Sequence, residues 1–178
     1  MKHYYYGILL LALFIIQCRH KEENIITQFP GKPGVPLFIK NEHENLLNQV
    51  AQFTLIEDSA GRAAIKLQDL MQHHFDEEED FVLPQLGLLS LLASGKLSDH
   101  NKEVIQLSEK LKSNLTHLNV EHQLIAAYLD ELKQVATIEN LPGIIEFEKE
   151  LIKHANSEEE VLFPAAVLIG DYLKLKST

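Results

Sequence analysis

The segment HFDEEEDFVLP, residues 74–84, returns eighty positions later as HANSEEEVLFP, residues 154–164. Each copy runs from His through three residues to a Glu pair, then apolar residues and Pro, so that His74, Glu78, Glu79 and Pro84 correspond to His154, Glu158, Glu159 and Pro164. A second match, offset by seventy-nine, sets NEHENLL from residue 41 against VEHQLI from residue 120 and aligns Glu42-His43 with Glu121-His122. Beyond residue 40 the sequence is therefore two copies of one unit: a lone His, then His-x-x-x-Glu about thirty residues on.

Around these motifs the apolar residues recur at helical spacing, with no convincing period-two stretch, which predicts an all-α fold. A first helix is expected from Asn41, an N-cap residue with Glu44 three places on, along the stripe His43, Leu46, Leu47, Val50, Phe53. A second, from near Gly61, carries Ile65, Leu67, Leu70, Met71, His74, Glu78 and Phe81 or Val82, and closes at Pro84. A third spans about 99–135 with Leu111, Leu115, Leu118, His122, Ile125 and Leu129 on one face. The fourth follows Leu141-Pro142-Gly143, with Ile144, Phe147, Leu151, His154, Glu158, Val161 and Leu162 inward. Residues 86–100 are too apolar for a free loop and predict a short extra helical crossing between helices two and three. In every helix a histidine interrupts the buried row.

Residues i and i+4 of a helix stand on one face about 6 Å apart along the axis, so His74 with Glu78, and His154 with Glu158, can each reach a single point. With one inward His from each remaining helix, the bundle core receives four imidazoles and two carboxylates. Helical bundles that hold two metal ions are built in this way, with Glu able to bridge. Such a donor set suits iron, and also manganese or zinc, but not sites that require thiolate. Two divalent ions carry four positive charges against two from the glutamates, leaving room for a small anionic or neutral ligand.

These motifs resemble the hemerythrin HHE cation-binding family, whose signature is an early His, then HxxxEE followed by apolar residues and Pro. The resemblance covers about residues 41–169. It implies an up-and-down four-helix bundle around a non-haem di-iron centre, with His43, His74, Glu78, His122, His154 and Glu158 as the metal ligands. Oxygen-carrying hemerythrins add a fifth histidine one turn from the third-helix ligand, where this sequence has Leu118 and Ala126. Four His and two Glu are more similar to the bacterial iron-sulfur-repair branch, linked to nitric oxide stress. That branch's N-terminal cysteine-bearing domain has no counterpart in the sequence, so its repair activity is not carried over.

The expected function is a di-iron protein that binds or senses dioxygen, nitric oxide or a related small ligand, rather than an enzyme. The alternatives are a di-iron oxidase or peroxidase, and iron storage or delivery. The other acids and histidines are assigned duller roles. His73 lies about 100° around the helix from His74 and should face a neighbouring helix or water, and His117 is likewise off the inward face. Glu77, Glu79, Asp80, Glu159 and Glu160 read as solvated charges on outer faces. Glu42 and Glu121, each preceding a candidate ligand, are positioned to orient imidazoles or line an access path. Phe75, Phe81, Phe147 and Phe163 read as core packing.

The full length of 178 residues, 46% of them hydrophobic, suits a single domain, assigned to 41–172. The formal charge of −10 would repel a phosphate backbone and argues against nucleic acid as a partner. Residues 1–18 carry Lys2 and then an apolar run of about 13 residues, shorter than the roughly 20 that span a bilayer, and end at Cys18, the sole cysteine. This segment resembles a bacterial lipoprotein signal, with Gln17 where Gly, Ala or Ser is usual, and implies export, lipidation of Cys18 and a membrane anchor in the cell envelope. An uncleaved apolar anchor is the alternative. Residues 19–40, with three prolines and two glycines over 29–36, read as a flexible linker.

Overall fold

A computed structural model describes residues 32–177. The leader with Cys18, and the linker before residue 32, lie outside the described residues. Among the described residues all regular structure is helical: α1 (Leu37–Phe53), α2 (Ser59–Glu77), α3 (Leu89–Ala93), α4 (Asn101–Glu139), α5 (Pro142–Ser157) and α6 (Phe163–Lys176). A π turn, Glu78–Val82, joins α2 to a 3₁₀ turn at Pro84–Leu88, and a second π turn, Glu158–Leu162, joins α5 to α6. None of these helices is long and apolar enough to cross a membrane.

The first helix begins four residues earlier than its capping box suggests, so that 37–40 belong to α1 and not to the linker. Asn41 is exposed inside the helix. The start is set instead by Pro36, whose carbonyl accepts from the backbone N–H of Ile39 and Lys40 at 3.0 and 3.2 Å, and by the burial of Val35 and Ile39. Losing those apolar contacts would cost more than an exposed cap supplies. The expected crossing over 86–100 is present as the 3₁₀ turn and α3. At the other end of the molecule α4 stops at Asn140, whose φ of 57° is the left-handed helix terminator, and Pro142 occupies the first turn of α5.

The buried apolar residues fall into two clusters. One contains Leu46, Val50, Leu67, Met71, Ile125, Leu129, Phe147 and Leu151. The other contains Ile39, Phe81, Val82, Leu111, Leu118, Phe163, Ala166 and Leu173. Along α1 the chain passes from the second cluster to the first, α2 with its π turn returns it, α4 crosses again, and α5 with α6 comes back. His43, His74, His122 and His154 each sit at the point of passage, so a polar layer lies between two apolar plugs.

The π turns are the backbone counterpart of the sequence repeat, since they occupy matching positions in the two copies. In the first, the N–H of Leu83 donates to the carbonyl of Glu78 at 2.9 Å, an i→i+5 bond that admits one extra residue into the turn. In the second, the N–H of Phe163 bonds the Glu158 carbonyl in the same way, and the extra residue re-phases everything after Glu158. Val161, expected inward, is 59% exposed, and Phe163 takes the buried position at 3%. It also explains why Pro164 does not end the helix: after re-phasing it falls in the first turn of α6, where a missing N–H costs nothing. Ile65 is a further departure, facing outward on α2 rather than joining the buried row.

Helix α6 lies close against α4 at Gly170, where an added Cβ would stand 2.1 Å from the Cβ of Ser108. The Ser108 hydroxyl donates to the Val167 carbonyl at 3.2 Å across the same contact. Gly to Ala inside a helix ordinarily gains up to about 1 kcal/mol, but the overlap here reverses the sign. Gly170→Ala is expected to lower unfolding free energy by about 1–3 kcal/mol, the range of overpacked cores. Urea denaturation measures it, and unchanged or increased stability would contradict so close an approach.

Candidate metal centre

All six side chains singled out by the repeat meet in the polar layer. His43, His74, Glu78, His154 and Glu158 are each at most 2% exposed, and His122 is 8% exposed. Their atoms form two overlapping groups within 4.8 Å: His43, Glu78, His154 and Glu158 in one, His74, Glu78, His122 and Glu158 in the other. Each histidine belongs to one group and each glutamate to both. Within its own helix, His74 Nε2 stands 3.2 Å from Glu78 Oε1 and His154 Nε2 stands 2.9 Å from Glu158 Oε1. Across helices, His43 Nε2 lies 3.5 Å from Glu78 Oε2 and 3.4 Å from Glu158 Oε1, while His122 Nε2 lies 3.5 Å from Glu158 Oε2.

The outward nitrogen of every imidazole has its own carboxylate. His74 Nδ1 donates to Glu121 Oε2 at 2.7 Å, His43 Nδ1 to Glu79 Oε1 at 3.0 Å and His122 Nδ1 to Glu159 Oε1 at 2.6 Å. His154 Nδ1 lies 3.3 Å from Glu42 Oε2. The pairing respects the repeat: Glu79 and Glu159 serve corresponding histidines, as do Glu121 and Glu42. A proton held at Nδ1 leaves the Nε2 lone pair aimed at the cluster and makes the imidazole a better donor to a metal. Of the two residues expected to orient imidazoles or line an access path, Glu121 hydrogen-bonds His74 and Glu42 stands beside His154. Glu79 and Glu159 do not behave as free surface charges. At the π turn Glu78 stays inward while its neighbour Glu79 reaches the imidazole of α1, and Glu159 does the same for α4. The signal was in the sequence, because both acids recur in both copies.

Two phenyl rings close the layer. Phe75 stacks on His43 with centroids 4.1 Å apart and planes 6° apart, and Phe163 stacks on His122 at 5.8 Å and 18°. Phe81 and Phe147 are buried as expected.

The electrostatics of the layer are those of groups that lack water and compensate one another. Burial pulls the His74 imidazole down, but the close, charged carboxylate of Glu78, with Glu121 and Glu158 behind it, outweighs burial and raises the pKa to about 9. His122 and His154 are raised for the same reason, chiefly by Glu158 against burial. The two glutamates differ. Burial and the neighbouring charge of Glu158 push Glu78 up, against the pull of His74 and His43. Glu158 is buried too, yet the close imidazoles of His122, His154 and His43 hold it well below the usual carboxylate range.

These contacts do not exhaust the donor capacity of the cluster. Nε2 of His74, His122 and His154, both oxygens of Glu78 and Oε2 of Glu158 are buried without a hydrogen-bond partner. Six orphaned polar atoms in one layer would be a heavy burden in a dry core. Converging lone pairs of imidazole and carboxylate are the donor set of a divalent first-row metal, and a cation among them would satisfy all six. The residues present therefore fit metal ions.

Comparison with known proteins agrees. A family model described as Hemerythrin HHE cation binding domain matches residues 37–166. No curated protein and no solved structure matches the chain.

Proposed function

Because the chain belongs to the hemerythrin HHE cation-binding family, we propose that its buried cluster holds two non-haem iron ions and through them binds or senses a small molecule such as dioxygen or nitric oxide. The observation that carries this reading is that Glu78 and Glu158 each belong to both four-residue groups. In it His43 and His154 would hold one ion and His74 and His122 the other, with Glu78 and Glu158 within reach of both. The alternating passage of α1, α2, α4 and α5 between the two apolar clusters is read as an up-and-down four-helix bundle, which brings the ligands from four directions.

Iron held there would supply a redox-active Lewis acid with coordination positions left for a small ligand. The protein's part is to hold each Nε2 inward through its Nδ1 carboxylate and to keep water off with Phe75 and Phe163. Two glutamates leave two divalent ions with a surplus of two positive charges, which favours an anionic or polarisable ligand. A surface cleft of about 400 Å³, lined by Leu115, Asn119, Glu159, Phe163, Pro164 and Val167, abuts His122 through Glu159 and Phe163 and is the approach we assign to a small molecule.

The test is stopped-flow absorbance after anaerobic ferrous loading. A stoichiometric, long-lived spectral change on exposure to dioxygen or nitric oxide is expected. Sustained consumption of dioxygen or peroxide would replace the reading by an oxidase or peroxidase, and rapid transfer of iron to an acceptor would replace it by delivery. No spectral change with either gas would overturn ligand binding.

The Nδ1 carboxylates give a graded expectation. Glu79→Gln and Glu159→Gln should each weaken metal binding by roughly 10–100-fold, the usual cost of removing such an outer partner. Glu160→Gln, on an exposed residue of the same acidic run, should leave it unchanged. Equilibrium dialysis against a metal indicator separates the three, and equal losses would remove the orienting role. For the leader over residues 1–18 we propose lipidation at Cys18 and an envelope location. Cys18→Ser should move the protein from the membrane to the soluble fraction, and unchanged partition would reject the anchor.

A further inference from the structure

At the edge of the buried layer, the face between α2 and α4 brings Glu121 together with three side chains that the repeat does not require. His73 and Glu77 are one helical turn apart on α2, and His117 and Glu121 are one turn apart on α4. One ligand atom from each lies within 4.8 Å of all the others. His117 Nε2 is 2.9 Å from Glu77 Oε2 and 3.5 Å from Glu121 Oε1, and His73 Nε2 is 3.5 Å from the same Glu121 oxygen. We propose that these four residues form a third metal site, at the surface, that takes a single borderline divalent cation of the zinc type.

The geometry suits such an ion. Tetrahedral ligands about 2.1 Å from zinc stand roughly 3.4 Å from one another, and the three measured separations bracket that value. Two imidazoles and two carboxylates exclude the all-oxygen preference of calcium and magnesium and favour zinc or its neighbours. Charge agrees as well, since two carboxylates neutralise one divalent ion, whereas a single N–H at His117 Nε2 cannot satisfy both carboxylates it faces. The carboxylate of Glu121 is held in place, 7% exposed, by the bond from His74 Nδ1 to its other oxygen. One member of the site is thus preorganised before any ion arrives.

The other half of the repeat supplies an internal control. The positions equivalent to His73, Glu77 and His117 are Lys153, Ser157 and Phe38, while Glu42 stands in the place of Glu121. A glutamate that orients a buried imidazole is common to both halves. The three remaining residues occur in one half only, so the buried layer does not need them, and a lysine in the other half would repel a cation. Because Glu121 faces the surface site with Oε1 and His74 with Oε2, an ion outside draws charge from the hydrogen bond that orients a ligand inside.

Zinc titration of the iron-loaded full chain, with iron and zinc counted in the same gel-filtered sample, tests the site. One zinc per chain should be retained with iron undiminished, and calcium at the same concentration should not be retained. The exposed double variant His73→Ala/His117→Ala should lose the zinc and keep its iron. The same single zinc should be retained by Glu78→Gln/Glu158→Gln, which makes the result independent of what the buried cluster holds. No retained zinc in the parent, zinc retained equally by the His73→Ala/His117→Ala chain, zinc that displaces iron mole for mole, or iron lost together with zinc in that variant would each overturn the proposal.

Discussion

Exchanging Glu78 and Glu158 together for glutamine is expected to empty the buried cluster: the substituted chain should retain no iron through gel filtration where the parent retains two ions. Glutamine matches glutamate in shape, so the packing of the layer is kept while both negative charges and both bridging carboxylates are removed. Each loss should exceed the roughly 10–100-fold that an outer partner contributes, because a neutral amide oxygen is a poor ligand for a divalent ion and four imidazoles alone leave its charge uncompensated. The sharing of the glutamates makes a finer contrast. Glu78 belongs to both groups and His154 to one, so Glu78→Gln should weaken both ions whereas His154→Ala should weaken one far more than the other. Metal analysis after loading reads both, and equal effects of the two single substitutions would argue against a bridge.

A second large effect is thermal. A metal that binds the folded chain and not the unfolded one stabilises it by about 4 kcal/mol at a thousandfold excess over its dissociation constant. For a domain of this size each kcal/mol moves the melting temperature by roughly 2–4 °C, so loading should raise it by roughly 10 °C. The physical origin is the set of orphaned atoms on His74, His122, His154, Glu78 and Glu158, which a bound cation would satisfy. Differential scanning calorimetry with and without iron measures the shift, and Glu78→Gln/Glu158→Gln should show none. A parent whose melting is indifferent to metal would contradict a cation bound in this layer.

The six inward side chains were legible because the repeat states them twice, and a chance histidine on an apolar face seldom has a counterpart at the same register. The outer carboxylates were half legible. Glu42 and Glu121 stood out by preceding each lone His, but Glu79 sits in an acidic run that looks like any solvated face until a π turn brings it to His43. Nothing in residue propensities marks a π turn, since the extra i→i+5 bond is a compromise between inward ligands and the packing that follows. The misplacing of Val161 has the same root. The start of α1 was missed because Asn41 and Glu44 form a good local cap, and tertiary burial of Val35 and Ile39 prevailed over it. His73 and His117 were assigned correctly as off the inward face, yet their meeting depends on the register of α2 against α4, which neither helix encodes by itself.

The most direct test of the centre is the number of iron atoms held by the His73→Ala/His117→Ala chain, in which the surface cluster cannot contribute, after anaerobic ferrous loading and gel filtration. Two irons per chain, lost together when Glu78 and Glu158 are also exchanged for glutamine, are expected from two ions that share both carboxylates. One iron or none, or two that survive the exchange, would contradict it.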